Sequence, residues 1–423
     1  MSEYQTKPTK NTGDPTMSRF TRWKLLASLF LCFFTLLALY CGVLAVLLPN
    51  QIAILAPEHK VQNLGLLFFV TSIFSTLTTP VAGALSDRTR SRFGKRTPWI
   101  VGGAAVGAIA LGLVALMPNF WTITLLWVIA AISLNSMQPA LTAVVADRFA
   151  ENERGIASGF VGAGMTAGCS VGMIVAGRLA DRMLLGYGVF AVAILICCII
   201  FVVLNPDRSS SNVPSTDFKL DQFARGFWIS PKVYPDFWWA FAGRFTIYMG
   251  YQAIVTYLLY ILEDYVHMGT KEANIAIGTL SAVTFVCVVS SSVISGFLSD
   301  WIKRRKPFVF AASLIMGTAL IVPIFLPTFE GMKAYAALIG LGYGAFMSID
   351  MALMTQVLPK SNGDTGKDLG LLTTAINIPQ IISPVMAAQL LRITNTDYRV
   401  LFVVAMVFVF AGTFFVLPIR SVK

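Results

Sequence analysis

Long apolar segments follow one another along the chain, and short polar segments separate them. Each apolar segment is about 20 residues or longer, which is the length that a helix needs to cross the hydrocarbon core of a bilayer. Backbone polar groups in lipid must be satisfied internally, and the alternation of barrel strands is absent, so the segments are predicted to be helices. The pattern predicts twelve spans, at about 23–48, 62–86, 98–117, 120–146, 155–178, 186–204, 236–262, 273–299, 307–327, 333–358, 367–391 and 398–418.

The longest polar break divides the twelve spans into two groups of six. We expect a disordered tail at 1–18, an N-terminal bundle at 19–204, a linker at 205–235, a C-terminal bundle at 236–418 and a short tail at 419–423. Within the linker, Phe223, Phe227 and Trp228 alternate with Asp221 and Arg225. This pattern fits an untethered linker as well as it fits a short amphipathic helix on the membrane surface.

The distribution of charge indicates how the chain lies in the membrane. Charged residues make up only 13% of the chain, and the net charge is +11. Most Lys and Arg residues fall in alternate connections, in groups that begin at Lys7, Arg88, Arg148, Arg208, Lys303, Lys360 and Arg420. The positive-inside rule therefore predicts that both termini, the linker and these connections are cytoplasmic, and the charge implies no nucleic acid partner. We expect an integral protein of a plasma membrane or bacterial inner membrane.

The residue types that commonly bind metals are scattered. The six cysteines all lie inside apolar spans, where we interpret them as small core residues rather than as disulfide partners: Cys32, Cys41, Cys169, Cys197, Cys198 and Cys287. His59 and His267 fall in separate predicted external loops. The sequence therefore predicts neither a metal site nor a cofactor.

One short phrase occurs twice, about half a chain length apart. Gly83 to Asp87 closes the second span, Gly296 to Asp300 closes the eighth, and each phrase is followed by a basic cluster. A chain made of two related membrane halves is typical of secondary transporters, which bind their substrate between the halves.

The first of these phrases resembles the signature of the major facilitator superfamily. The matching residues are Gly83, Asp87, Arg88, Gly94, Lys95 and Arg96. The longer stretch from Asp87 to Ile100 is similar to the glycoside–pentoside–hexuronide cation symporters and the related sucrose transporters. The resemblance implies an all-α membrane protein with twelve transmembrane helices in two pseudo-symmetric six-helix bundles.

The resemblance also implies a gate at the cytoplasmic end of the second span. The residues that it assigns to the gate are Gly83, Asp87, Arg88, Arg96 and, in the repeat, Asp300. We expect Asp87 to face the positive N-terminus of the eleventh span near Lys367. Arg88 and Arg96 can pair with Asp147 or Glu151. The alternative is that the basic cluster serves only to set the topology.

Two opposite charges lie inside the spans of the second half. Arg244 and Asp350 are both about 12 Å from the cytoplasmic ends of the seventh and tenth spans, at 1.5 Å per residue. In the fold that this chain resembles, these two helices line the central cavity, so the charges can pair or be bridged by substrate. Charge inside a membrane span is costly and points to function, although a permanent structural ion pair is the alternative.

Polar and aromatic side chains cluster on the helices that the resemblance assigns to the cavity. Together with Arg244, the predicted substrate-binding residues are Tyr248, Tyr251, Gln252, Asn135, Gln138, Tyr40, Asn377 and Gln380. Aromatic faces combined with amide groups suit a polar neutral solute such as a sugar. For Asn377 and Gln380, hydrogen bonding between helices is an equally good interpretation.

Coupling to a cation is expected to differ from that of the melibiose-type symporters. Those proteins carry acidic residues in the second helix, where this chain has Ser75 and Thr79. Proton coupling through Asp350, or through Glu263 and Asp264, is therefore predicted instead of a sodium site.

These observations favour a proton-coupled symporter that moves a small polar organic solute, such as a sugar or glycoside, by alternating access. One alternative is a proton-driven exporter of drugs or metabolites, because Gly164 to Gly172 loosely resembles the fifth-helix motif of drug–proton antiporters. Another is a membrane sensor that has lost transport. The sequence has no nucleotide-binding loop and no nucleophile–base arrangement, so no enzyme is predicted. We expect a monomer whose partners are its substrate, protons and membrane lipids.

Overall fold

A computed structural model describes residues 18–150, 153–207, 209–210, 235–302, 304–357 and 365–419. Inside helices, the side chains of residues 300, 351–352, 355–357 and 365–373 are not described. Residues 1–17 of the predicted N-terminal tail, residues 211–234 of the predicted linker and the last four residues lie outside these ranges. The predictions for Phe223, Phe227 and Trp228 therefore stay predictions.

The first half consists of six helices that match the six predicted spans, although the first ends seven residues later than predicted and the second begins five residues earlier. They are α1 (Arg19–Leu55), α2 (Pro57–Arg88), α3 (Thr97–Val114), α4 (Phe120–Arg148), α5 (Arg154–Leu179) and α6 (Met183–Leu204). Ser18 and Asn119 begin α1 and α4 as N-caps, because their side-chain oxygens accept hydrogen bonds from the backbone N–H groups of Thr21 and Thr122.

The second half repeats this arrangement. Its helices are α7 (Pro235–Thr256, continued by Leu258–Tyr265), α8 (Thr270–Ile302), α9 (Lys306–Phe325), α10 (Phe329–Val357), α11 (Thr365–Ile393) and α12 (Tyr398–Phe415). In the described residues, eleven helices are long and apolar enough to cross a membrane, and the two parts of α7, bent by 56°, complete a twelfth span. The predicted all-α, twelve-span fold is confirmed.

The helices α1 and α7 share an irregularity at corresponding places. Residues Val43–Leu47 of α1 and Ile261–Tyr265 of α7 are π-helical. In α1 the π-helical turn lies directly before Pro49, which has no N–H to donate to the preceding turn, so the hydrogen-bond pattern must change there. Such local changes of pitch are frequent at functional sites of membrane helices.

Helix packing divides the molecule into two bundles that meet along two seams. In the first half α1 packs on α5 and α6, and α4 packs on α2 and α3. In the second half α7 packs on α11 and α12, and α10 packs on α8 and α9. The seams between the halves are formed by α2 against α11 and by α5 against α8. A site between the halves is therefore bounded by these four helices.

Glycines allow α1 and α5 to approach each other closely. A Cβ atom added at Gly164 would lie 2.7 Å from the carbonyl oxygen of Phe30, and one at Gly168 or Gly172 would overlap the carbonyl oxygen of Phe34 or Ala38. Small residues are the usual means of close helix packing in lipid. The stretch from Gly164 to Gly172 thus has a packing role in this structure.

The same close approach brings two cysteines together. Cys41 of α1 and Cys169 of α5 form a disulfide, with their Cα atoms 5.1 Å apart. The prediction that all six cysteines are unpaired core residues is therefore wrong for this pair. It failed because the pairing depends on the proximity of two helices that lie far apart in the sequence. Cys32, Cys197, Cys198 and Cys287 are free.

We expect Gly168→Leu to lower the thermal unfolding temperature of the purified protein. The new side chain would collide with the backbone of α1 near Phe34, and overpacking of this kind costs about 1–3 kcal/mol or more. The matched control is Gly162→Leu on the same helix, where an added Cβ meets no atom within 4 Å. Equal unfolding temperatures for the two variants would contradict the proposed role of these glycines.

Candidate functional site

Arg96 is the centre of a polar network at one end of the bundle, called here the Arg96 end. Its side chain is buried and forms an ion pair with Asp87. Its Nε donates to Asp147 Oδ2 at 3.0 Å, and its Nη1 donates to Ser86 Oγ at 2.8 Å. Lys95 lies 3.2 Å from the same carboxylate. The expected partner Asp147 is confirmed, whereas Glu151 lies outside the described residues.

The other predicted gate residues surround this network. Gly83 faces Pro139, with 3.6 Å between an added Cβ and the proline Cβ, and Arg88 is the last residue of α2. Asp87 is paired with Arg96, and its own side chain is exposed. The side chains of Lys367 and Asp300 lie outside the described part of the chain. The predicted contact between Asp87 and the start of α11 stays a prediction.

The beginning of the predicted linker is attached to the same network. Asp207 Oδ2 accepts a hydrogen bond of 3.0 Å from the backbone N–H of Arg96, directly before α3. Ser210 Oγ donates to Thr89 O at 2.9 Å and accepts from Ser91 N at 3.1 Å. The sequence analysis did not find this attachment, because a serine and an aspartate after a span are also typical of an unattached loop.

The opposite end of the bundle, called here the Lys60 end, contains ion pairs between the two halves. Lys60 Nζ of α2 lies 2.8 Å from Asp264 Oδ1 and 3.6 Å from Glu263 Oε2 of α7. The ammonium also lies 4.7 Å from the ring centroid of Tyr260. Tyr398 donates to the second oxygen of Asp264 at 2.9 Å. The predicted proton-coupling residues Glu263 and Asp264 are thus partners of a lysine from the other half.

Further hydrogen bonds join the halves on the Lys60 side. The amides of Asn50 and Asn274 bond each other reciprocally at 2.7 and 3.1 Å. Tyr257 donates to the carbonyl oxygen of Val61 at 3.2 Å, and Tyr260 donates to that of Pro49 at 2.9 Å.

Nearer the middle of the bundle two more hydrogen bonds cross the seams. Ser281 donates to Ser170 at 3.2 Å, and Ser72 donates to the carbonyl oxygen of Gln380 at 3.3 Å. The hydrogen bonds and ion pairs resolved between described residues of different halves all lie between the middle of the bundle and the Lys60 end. The structure is therefore closed at the Lys60 end.

Arg244 and Asp350 form a buried ion pair. The guanidinium Nε lies 3.1 Å from Asp350 Oδ2, and both side chains are buried, at 1% and 5% exposure. The predicted pairing of these two charges is confirmed. One turn after Arg244, Tyr248 places its hydroxyl 3.4 Å from the hydroxyl of Tyr343. Tyr343 in turn lines a cavity.

That cavity has a volume of about 180 Å³ and lies between the halves. Helices α7 and α10 contribute Tyr251, Tyr335 and Tyr343, and the facing helices α5 and α8 contribute hydroxyl groups. The rest of the lining is aliphatic or aromatic, apart from Cys169 of the disulfide. Among the described residues no charged side chain and no amide side chain lines it. The arrangement can hold an apolar molecule that has few hydrogen-bonding groups.

Most of the predicted substrate-binding residues lie elsewhere. Tyr251 is in the cavity lining. Tyr40 and Ser75 both accept hydrogen bonds from the amide of Asn135, at 2.8 and 3.0 Å, in the first half. Gln252 donates to Thr256 on its own helix at 3.3 Å.

The remaining predicted residues are the half-buried Gln138 and Asn377 and the exposed Gln380. None of the three lines the cavity. The role of these residues, and of Tyr40, Asn135 and Gln252, in substrate binding stays a prediction.

Several residues of this site were not singled out from the sequence. Tyr335 and Tyr343 lie on the same helix as Asp350, and Tyr343 precedes it by about two turns, which is a signal that could have been used. Ser170 and Ser281 carry no comparable signal, because serine is frequent in packed membrane helices. Lys60 could be read only as a loop residue.

The sequence matches the family model described as Major Facilitator Superfamily over residues 26–384 and again over 274–423. The multidrug resistance protein MdtG of Enterobacter lignolyticus is 25% identical over 369 residues, which cover 86% of this chain and 84% of that protein. The multi-drug resistance efflux pump PmrA of Streptococcus pneumoniae is 26% identical over 311 residues, covering 70% and 72%.

Solved structures agree on the fold. A bacterial homologue of the human lysosomal transporter Spinster, in an inward-facing and occupied conformation, superimposes with a TM-score of 0.75 at 16% identity and covers 96% of this chain and 98% of its own. The nucleoside transporter NupG gives 0.72 at 13% identity, covering 93% and 99%. The finer resemblance to glycoside and sucrose symporters stays a prediction. With its twelve spans, its signature loop and the match to the family model, this chain belongs to the major facilitator superfamily.

Proposed function

We propose that this protein is a secondary active exporter of apolar, aromatic compounds, driven by protons that move in the opposite direction. The observation that carries this proposal is the lining of the cavity, which offers rings, aliphatic groups and hydroxyls. A sugar exposes hydroxyls in every direction, and a site for it needs several amide or charged partners to replace its water. The named relatives, multidrug proteins of similar length, support the same choice.

The sugar importer of the sequence analysis is less well supported by this geometry. Its best remaining feature is the group formed by Tyr40, Ser75 and Asn135, which lies inside the first half. The Asn135 amide N–H group already donates to Tyr40 and Ser75, so a sugar would have to compete with these two hydrogen bonds. The sensor alternative has no observation in its favour beyond those that also suit a transporter.

The ion pair of Arg244 and Asp350 is proposed as the site of proton coupling. Charge this deeply buried in a membrane protein is costly unless it is paired or functional. Protonation of Asp350 would neutralise the carboxylate that pairs with Arg244 and change the electrostatics next to Tyr248 and Tyr343. A proton and a substrate can therefore act on the same pair of helices, α7 and α10. Glu263 and Asp264 are assigned to closure of the Lys60 end.

The orientation follows from the basic residues. By the positive-inside rule we place the Arg96 end, with the loop between α2 and α3, in the cytoplasm. The structure, closed at the Lys60 end, is then the inward-facing state, in which an exporter takes up its cargo. Alternation requires that the contacts of Lys60, Asn50 and Asn274 break when the outer side opens.

We expect a double-mutant cycle to show strong coupling between Arg244→Met and Asp350→Asn. Each single change breaks the ion pair and leaves the other charge buried, which typically costs about 3–5 kcal/mol, whereas the double change removes both groups. Thermal unfolding of the purified protein measures the cycle. The matched control is Lys271→Met with Asp181→Asn, an exposed pair at 3.4 Å that should show less than about 1 kcal/mol of coupling. Additive effects at Arg244 and Asp350 would contradict the buried pair.

We expect cells that express the protein to extrude N-phenyl-1-naphthylamine, a neutral fluorescent aromatic amine, in a proton-dependent way. The host should lack its own major efflux pumps, and a protonophore should abolish the extrusion. Asp350→Asn should abolish net extrusion but keep exchange of dye across the membrane, because exchange releases no net proton. Asp397→Asn, which changes an exposed helix cap, is the control.

Radiolabelled sucrose and melibiose provide the opposing arm of this experiment. Proton-dependent accumulation of either sugar without dye extrusion would overturn the exporter proposal. Transport of neither dye nor sugar would favour the sensor interpretation.

A further inference from the structure

The cavity between the halves has two chemically different walls. The tyrosine wall consists of Tyr251, Tyr335 and Tyr343 on α7 and α10. The hydroxyl wall consists of Thr166, Ser170, Ser281 and Thr284 on α5 and α8. Because the two walls face the same space, one molecule can touch both of them.

The tyrosine wall is a stacked aromatic surface. The rings of Tyr251 and Tyr343 are nearly parallel, with an interplanar angle of 9° and a centroid distance of 4.6 Å. The hydroxyl of Tyr343 is held near Tyr248, which limits rotation of its ring. Fixed aromatic groups favour aromatic ligands over saturated ones, because offset and edge-to-face contacts add to simple burial.

The hydroxyl wall retains capacity to accept hydrogen bonds. Ser281 donates to Ser170, and Thr284 donates to the carbonyl oxygen of Ala336 at 3.2 Å. Thr166 donates to the carbonyl oxygen of Gly162 at 2.9 Å. A hydroxyl oxygen has two acceptor sites, so these oxygens can still accept from a ligand. A ligand edge that carries N–H or O–H groups fits this wall.

The charge of the ligand is limited by the lining. Among the described lining residues there is no carboxylate or basic group, and the nearby charges of Arg244 and Asp350 are paired with each other. A permanently charged ligand would lose its hydration shell here without gaining a counter-ion. The cavity therefore favours an uncharged molecule.

The volume of the cavity limits the size of the ligand. An engineered apolar cavity of about 150 Å³ binds benzene, and this partly open cavity measures about 180 Å³. A substituted single ring or two fused rings is the matching size.

From these observations we propose that the cavity binds an uncharged, planar aromatic compound of one or two fused rings, with a hydrogen-bond donor on one edge. Its ring contacts Tyr251 and Tyr343, and its donor bonds Ser170 and Ser281. This assignment rests on the proposed function, since it names the cargo of the same cavity. Because Ser170 and Ser281 belong to different halves, the bound donor contacts both halves at once.

Equilibrium dialysis of the purified full chain tests the assignment with four probes. The reference probe is naphthalene-2-carboxamide. The others are its decahydro analogue, which lacks the aromatic rings, 2-ethylnaphthalene, which lacks the donor, and trimethyl(2-naphthyl)ammonium, which is a cation. We expect the carboxamide to bind roughly two- to tenfold more tightly than the saturated or donor-free probe. The cation should bind most weakly.

Variants separate the two walls. Tyr251→Leu should remove the preference for the aromatic over the saturated carboxamide. Ser170→Ala and Ser281→Ala should remove the preference for the carboxamide over 2-ethylnaphthalene. The controls are Tyr265→Leu and Ser313→Ala, both outside the cavity lining, which should leave both preferences unchanged.

Two results with the unmodified protein alone would overturn the assignment. One is equal binding of the aromatic and saturated probes, and the other is tightest binding of the cation. The outcome is separable from that of the dye-extrusion experiment. Dye extrusion without aromatic preference removes only the ligand assignment. Selective binding of the carboxamide without extrusion of any compound removes only the exporter proposal.

Discussion

The account depends on one set of contacts: among the described residues, the resolved hydrogen bonds and ion pairs between the two halves lie between the middle of the bundle and the Lys60 end. Lys60 bonds two carboxylates of the other half, and Asn50 bonds Asn274. In lipid there is no general hydrophobic force between helices, so hydrogen bonds, ion pairs and close packing decide which ends of two bundles stay together. These contacts close the cavity on the Lys60 side.

The two halves contribute differently to the site. In the first half, glycines of α5 lie against the backbone of α1, and a disulfide joins the same two helices. In the second half, α7 and α10 carry the buried ion pair, and with it the stacked tyrosines of the cavity. The first half is close-packed, whereas the second half carries titratable and aromatic groups. The first bundle would therefore stay rigid while the second responds to protons and cargo.

The sequence was sufficient to predict features that depend on position along a single helix. Twelve apolar runs predicted twelve spans, and the depth of Arg244 and Asp350 predicted that they pair, because both the bilayer and the helical rise fix position along the membrane normal. It was insufficient where two helices must be placed side by side. It could not predict the bond between Cys41 and Cys169, the partners of Lys60, or the shared wall of Ser170 and Ser281. Each of these depends on the rotation and proximity of helices that are distant in the sequence. Glu263 and Asp264 were predicted as coupling residues, which stays a prediction, and their partner Lys60 could not be identified from the sequence.

Measurement of distances between spin labels at both ends tests the central claim most directly. One label pair would be placed at positions 58 and 272, at the Lys60 end, and the other at positions 93 and 304, at the Arg96 end. We expect Lys60→Met to lengthen the first distance and shorten the second in a larger share of molecules, because it removes two ion pairs that hold the closed end together. Lys333→Met, which breaks only an ion pair within the second half, should leave both distance distributions as they are in the unmodified protein. Identical distributions for Lys60→Met and the unmodified protein would contradict the account.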